Sequence, residues 1–153
     1  MPLRDLLNPE RISIVLDSTD RGGVLDAAAS LLADGDGART EAIGASLRAR
    51  EQLASTAIGH GVAIPHGRVR VLEDCQGAFL RLAQPVDFGA LDGVPVDLVI
   101  ALAVPEHFVQ QHLHRLAELA EHFADAGFRQ RLREADDVDS LQAVLFEHGP
   151  ARV

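Results

Sequence analysis

Tryptophan, tyrosine and lysine are absent from this chain, and cysteine occurs once, at Cys75. One cysteine excludes an internal disulfide and fits a reducing cytoplasm. Without Trp and Tyr there is no broad aromatic platform on which nucleic-acid bases could stack. All 14 basic residues are arginine, which excludes a lysine Schiff base and a Walker-type phosphate lysine. No apolar run is long enough to span a bilayer and there is no cationic apolar leader. Direct membrane insertion is therefore not expected, and Met1-Pro-Leu-Arg reads as an ordinary mature start. A Gly-x-Ser-x-Gly nucleophile elbow and the Rossmann glycine spacing are also missing. The net charge of −9 argues against nucleic acid as a partner, because a phosphate backbone needs a broad basic face. It leaves room for local clusters of arginine.

What remains describes one globular domain over residues 1–153. A chain of 153 residues that is 47% hydrophobic can bury a substantial core. Pro2–Leu7 reads as a short helical turn stopped by Asn8-Pro9, and Ile12–Leu16 as a first strand. Asp20 caps a helix over about 21–33, with Val24, Leu25, Ala28, Leu31 and Leu32 on one face. Asp34-Gly-Asp-Gly37 breaks it, and a second helix over about 40–53 carries Ile43, Leu47 and Arg50. Thr56–Ile58 and Val62–Ile64 are short extended pieces across a glycine loop. Gly77–Ala83 is a strand ended by Gln84-Pro85. Val96–Val104 is a nearly continuous apolar run, as expected of a strand buried on both faces. Helices follow over about 108–125, 128–134 and 137–148. This order describes an α/β chain whose helices can cover both faces of one sheet.

The chemistry concentrates in Gly59-His-Gly-Val-Ala-Ile-Pro-His-Gly-Arg68. Pro65 fixes φ and lacks an N–H, so a strand is expected to stop there. Gly67 is expected to let the backbone turn tightly beside an uncrowded imidazole. His66 then sits at a strand end, where a ring can act as base, ligand or nucleophile. The amides of Gly59-His60-Gly61 are candidates to cradle an anion. Arg50, at the end of the second helix, is either a cation at a helix C-terminus or a phosphate fork. The seven histidines invite a metal reading, but His112 and His114 lack the four-residue spacing of a helical zinc pair. No metal is expected. On the helix over about 108–125 the stripe Val109, Leu113, Leu116, Ala117, Ala120, Phe123 and Ala124 leaves His112 at its edge, beside Leu116 and Leu119. His114 falls on the wet face.

Thr56-Ala-Ile-Gly-His-Gly-Val-Ala-Ile-Pro-His66-Gly resembles the active-site signature of enzyme IIA of the bacterial phosphoenolpyruvate-dependent sugar phosphotransferase system, in its fructose/mannitol class. That class includes the stand-alone nitrogen-regulatory enzyme IIA. Arg50-Glu51, Pro85-Val-Asp-Phe88, Pro95-Val-Asp-Leu98 with the strand to Pro105, and His112-Leu-His114 follow in the order expected of that family. The resemblance spans about Leu6 to Glu147. It implies a three-layer α/β/α sandwich with a central mixed β-sheet and a cytoplasmic phosphoryl relay without a cofactor. His66 matches the phosphorylated histidine, which accepts the group from phospho-HPr or a homologue. His112 matches a second active-site histidine and Arg50 an arginine beside the site. Thr56, Gly59, His60 and Gly61 are candidate loop contacts. The receiving partner is an enzyme IIB, or a regulatory protein in nitrogen-regulatory members. Three positions depart from the common pattern: His60 stands where Asn is usual, Ala57 where Gly is frequent and Arg68 where Lys is frequent. His60 is expected to add a titratable group near His66.

Overall fold

In the computed structural model, residues 3–17, 20–70, 72, 74–106 and 109–147 are described, with backbone alone for 109–112. A 3-10 turn at Leu3–Asp5 leads into β1 (Leu7–Val15). Two helices follow, α1 (Arg21–Leu32) and α2 (Gly37–Leu53). Three short strands come next: β2 (Ala57–Gly59), β3 (Val62–Ala63) and β4 (His66–Val69). The long strands β5 (Gln76–Val86) and β6 (Val96–Pro105) form the centre. The chain then runs through α3 (Val109–Phe123), α4 (Ala126–Glu134) and α5 (Val138–Glu147). Sequence expectations placed on Pro2, Phe108 and His148 lie outside the described residues.

The sheet order is β1-β5-β6-β3-β2, with β4 also paired to β6. β1 runs parallel to β5, β3 and β4 run parallel to β6, and β5–β6 and β2–β3 are antiparallel. The sheet is therefore mixed. Alternation along β6 divides the core in two. Val99, Ala101 and Ala103 pack with Val24, Leu25, Leu32, Ile43 and Leu47 of α1 and α2. Leu98, Ile100, Leu102 and Val104 pack with Leu119, Phe123, Phe128, Leu132, Leu141 and Leu145 of α3, α4 and α5. The result is the expected α/β/α sandwich, and β6 is buried on both faces from Val96 to Val104 except at half-buried Asp97.

Several boundaries differ from the sequence reading, each for a local reason. Asp20 caps α1 as expected, its carboxylate accepting the Gly23 N–H at 2.7 Å. Asp36 does the same for α2 through the Arg39 N–H at 3.1 Å, so α2 starts at Gly37 and not near Thr40. The prolines in β1 and β5 do not end their strands. Pro9 lies in a register shift between Leu7 and Ile12, on an edge strand, and Pro85 in one between Arg81 and Val86. An irregularity of the ladder removes the need for the missing donor. Among the described side chains of α3, Leu119, His122 and Phe123 are buried, while Leu113 is 61% exposed. The inner stripe is rotated away from Leu113, Ala117 and Ala124, toward Leu116 and Leu119.

Candidate functional site around His66

His66 opens a strand. β3 pairs with β6 at Val62–Leu98 and Ala63–Val99, and β4 resumes at His66–Leu102. The register carries across Ile64-Pro65 unchanged, so Pro65 interrupts one long strand and does not terminate it. Its carbonyl still accepts the Leu102 N–H at 2.8 Å. Ala63 and Val69 belong to the core on the α1–α2 side. By alternation Gly67 faces that side, and His66 and Arg68 face the side of α3–α5.

The expected tight turn at Gly67 is not there. Gly67 lies within β4 and has no positive φ. Its role is close approach. A Cβ at this position would lie 2.9 Å from the Ser46 carbonyl carbon of α2. Ser46 also donates its hydroxyl to the Arg68 carbonyl at 2.9 Å. A side-chain-free contact thus brings α2 onto β4, and with it Arg50 onto His66.

Two hydrogen bonds fix the tautomer of the His66 ring. Nδ1 lies 2.8 Å from the Ile64 carbonyl oxygen, which can only accept, so Nδ1 carries the proton. Nε2 then holds the lone pair, and the Arg50 Nε–H donates to it at 3.2 Å. Arg50 is itself held by the Ala54 carbonyl, which accepts from Nη1 at 2.8 Å. Burial of the ring holds its pKa below the ordinary histidine value. The Arg50 charge adds to this, against opposing effects of the Ile64 carbonyl and Glu51. At neutral pH the ring is uncharged, with a nucleophilic nitrogen facing a guanidinium.

The other candidates fall into place differently. Thr56 is buried, and its N–H and hydroxyl are both taken by Glu51. Gly59-His60-Gly61 forms the β2–β3 turn, with φ of 93°, 58° and 78°. The structure does not bring this turn to His66. Val62 and His66 are opposite Leu98 and Leu102, which places them about 13 Å apart along the strand, and the turn lies beyond Val62. The His60 N–H does not await an anion either, because Asp92 Oδ2 accepts it at 2.8 Å. The His60 carbonyl accepts from Arg133 Nη2 at 2.6 Å, and Arg133 Nε donates to Asp97 Oδ2 at 3.0 Å. The turn is a pinned corner of the fold. The expectation that His60 titrates near His66 is therefore corrected. An Asn at this position suits the left-handed backbone, and His is among the few other residues that tolerate it.

His112 occupies the first turn of α3, the helix that follows β6; its side chain lies outside the described residues. His114 is exposed and sits 3.2 Å from Glu118, as a wet-face residue should. Among the described residues no three His, Cys, Asp or Glu side chains gather as a metal set. The sequence reading missed the part played by Glu51. Its signal was present: Ile43, Leu47 and Glu51 are four apart, so a carboxylate continues the apolar line of α2.

Comparison with known proteins agrees with this architecture. A nitrogen regulatory protein of Bradyrhizobium diazoefficiens is 39% identical over 145 residues, covering 95% of each chain. The crystal structure of nitrogen regulatory protein IIA-Ntr from Neisseria meningitidis superposes with a TM-score of 0.85 at 34% identity, over 94% of this chain and 98% of that one. The fructose-specific EIIABC component of Bacillus subtilis is 30% identical over 97% of this chain, which spans 24% of that longer protein. Residues 5–148 match the family described as phosphoenolpyruvate-dependent sugar phosphotransferase system, EIIA 2, and the chain belongs to that family.

Proposed function

We propose that the protein is a cytoplasmic histidine phosphocarrier, in which His66 Nε2 accepts a phosphoryl group from phospho-HPr or a homologue and hands it to an enzyme IIB. The observation that carries this reading is the pair of bonds on the ring. An imidazole held as the Nδ1–H tautomer presents its lone pair at Nε2 without help from a general base. The Nε2–phosphorus bond forms as the donor's own phosphorus–nitrogen bond breaks. The donor imidazole leaves with that electron pair. Nδ1 keeps its proton throughout, and the Ile64 carbonyl stabilises the charge that develops on the ring. A loose transition state asks for positioning and for charge on the equatorial oxygens. Arg50 supplies both, its guanidinium moving from Nε2 to the incoming phosphoryl oxygens. His112 is the second donor of this reading, placed on the helix that follows the strand paired with His66. Thr56 serves the site by holding the loop and not by touching phosphate.

The test is phosphoryl transfer from phosphoenolpyruvate through enzyme I and HPr, read by intact mass, then addition of an enzyme IIB. One added phosphoryl group, labile to acid and stable to base, is expected, as is its passage to the IIB. A second reading is favoured by the nitrogen regulatory relatives, which match this chain over nearly its whole length. In it the phosphorylation state of His66 governs a regulatory partner. A charged protein that keeps its phosphoryl group in the presence of IIB proteins supports that reading over the first.

A further inference from the structure

We propose that Glu51 is a positioning residue for phosphoryl transfer, holding the His66 ring through Thr56 and Ile64; this rests on His66 being the phosphoryl acceptor. Glu51 follows Arg50 on α2, and its side chain is only 3% exposed. A carboxylate taken from water needs partners to be tolerated. Oε2 accepts the Thr56 N–H at 2.9 Å and Oε1 accepts the Thr56 hydroxyl at 2.5 Å. Arg21 Nη1 stands 3.6 Å from Oε2.

The line continues to the ring. The Thr56 carbonyl accepts the Ile64 N–H at 3.0 Å, and the Ile64 carbonyl accepts His66 Nδ1–H at 2.8 Å. It ends on the nitrogen that must keep its proton for Nε2 to attack. From the other side Arg50, the peptide neighbour of Glu51, donates to Nε2 at 3.2 Å. The two ring contacts described here, to Ile64 and to Arg50, hang on one turn of α2, and Glu51 fastens that turn to the strand segment. Arg50 and Glu51 are the charged groups of α2 that act on the ring, with opposite signs: the Glu51 charge raises the His66 pKa.

The full chain is assayed with an HPr-type phosphohistidine donor regenerated by enzyme I and phosphoenolpyruvate. Nitrogen-15 NMR of the His66 ring reports tautomer and titration. In Glu51→Gln the amide oxygen still accepts the Thr56 N–H, so the Nδ1–H tautomer persists and the rate stays within a few-fold of wild type. His66 then titrates at lower pH, because a charge that raised its pKa is gone. In Glu51→Ala, Thr56 is released, the ring populates both tautomers, and transfer slows about 10- to 100-fold while far-UV circular dichroism is unchanged. The inference is overturned by wild-type transfer in folded Glu51→Ala, or by slowed transfer with a wild-type tautomer. It is also overturned by an unchanged His66 titration in Glu51→Gln, which decides the matter if the alanine variant does not fold. A wild-type chain that takes no phosphoryl group contradicts the reading of His66 instead. In that event the ring tautomer and titration still judge Glu51.

Discussion

A histidine that works as a nucleophile must be neutral, and the surroundings of His66 keep it so. Burial and Arg50 lower its pKa, so the ring should titrate in NMR below the ordinary histidine value of about 6.5. Transfer should fall as pH drops through that lowered value, because protonation consumes the Nε2 lone pair. Replacing Arg50 with alanine should raise the ring pKa toward the ordinary value and slow transfer by about 10²; a wild-type titration in that variant contradicts the contact. Stability carries the same sign. Below the ordinary histidine pKa the unfolded chain binds a proton that the folded ring resists, so folding loses stability as pH falls through that range. Residue type and spacing marked His66 as a reactive histidine and left Arg50 with two readings; the resemblance alone put them together, and the contact between them is seen only in the folded chain. The tautomer was not, because it depends on which carbonyl the ring meets after folding.

At the scale of elements the contact between α2 and β4 decides whether Arg50 reaches His66. Gly67→Ala should destabilise the chain by about 1–3 kcal/mol, as overpacking does, and should slow transfer by pushing α2 off the strand. Chemical denaturation and the transfer assay check both; an unperturbed variant would mean that Ser46 can give way. On α3, His112→Ala should slow transfer by about 10² if it supplies one donor in the transition state, with the fold retained. His114→Ala is the control and should do little, since His114 points to solvent. Wild-type rates in the folded His112 variant remove that histidine from the site. The helices and β6 were legible because their apolar periods are long. β4 was not, since Pro65 reads locally as a stop and only the ladder to β6 shows that the strand resumes. The α3 stripe was misjudged by a rotation, because alanines and Leu113 count as apolar whether or not anything packs on them.

At the scale of the whole molecule, six residues of nearly extended chain can separate two groups more than a folded loop does. His60 looked close to His66 in sequence, yet the ladder carries it to the other end of β6, where Asp92 and Arg133 hold its backbone. His60→Asn should therefore leave both the rate of transfer and the pH at which His66 titrates unchanged, and a shifted His66 titration would contradict the placement. The fold class was legible because a doubly buried strand among amphipathic helices admits few arrangements; the position of the turn depended on register, which no local pattern states. The central claim is that His66 Nε2 takes the phosphoryl group. The most direct measurement charges the wild type and His66→Ala with phosphoenolpyruvate, enzyme I and HPr, with intact mass and phosphorus-31 NMR as readouts. One phosphoryl group on wild-type protein, bonded at Nε2, and none on the variant is the predicted result. A variant that is labelled as readily as the wild type, or a phosphoryl group bonded at Nδ1, would contradict it.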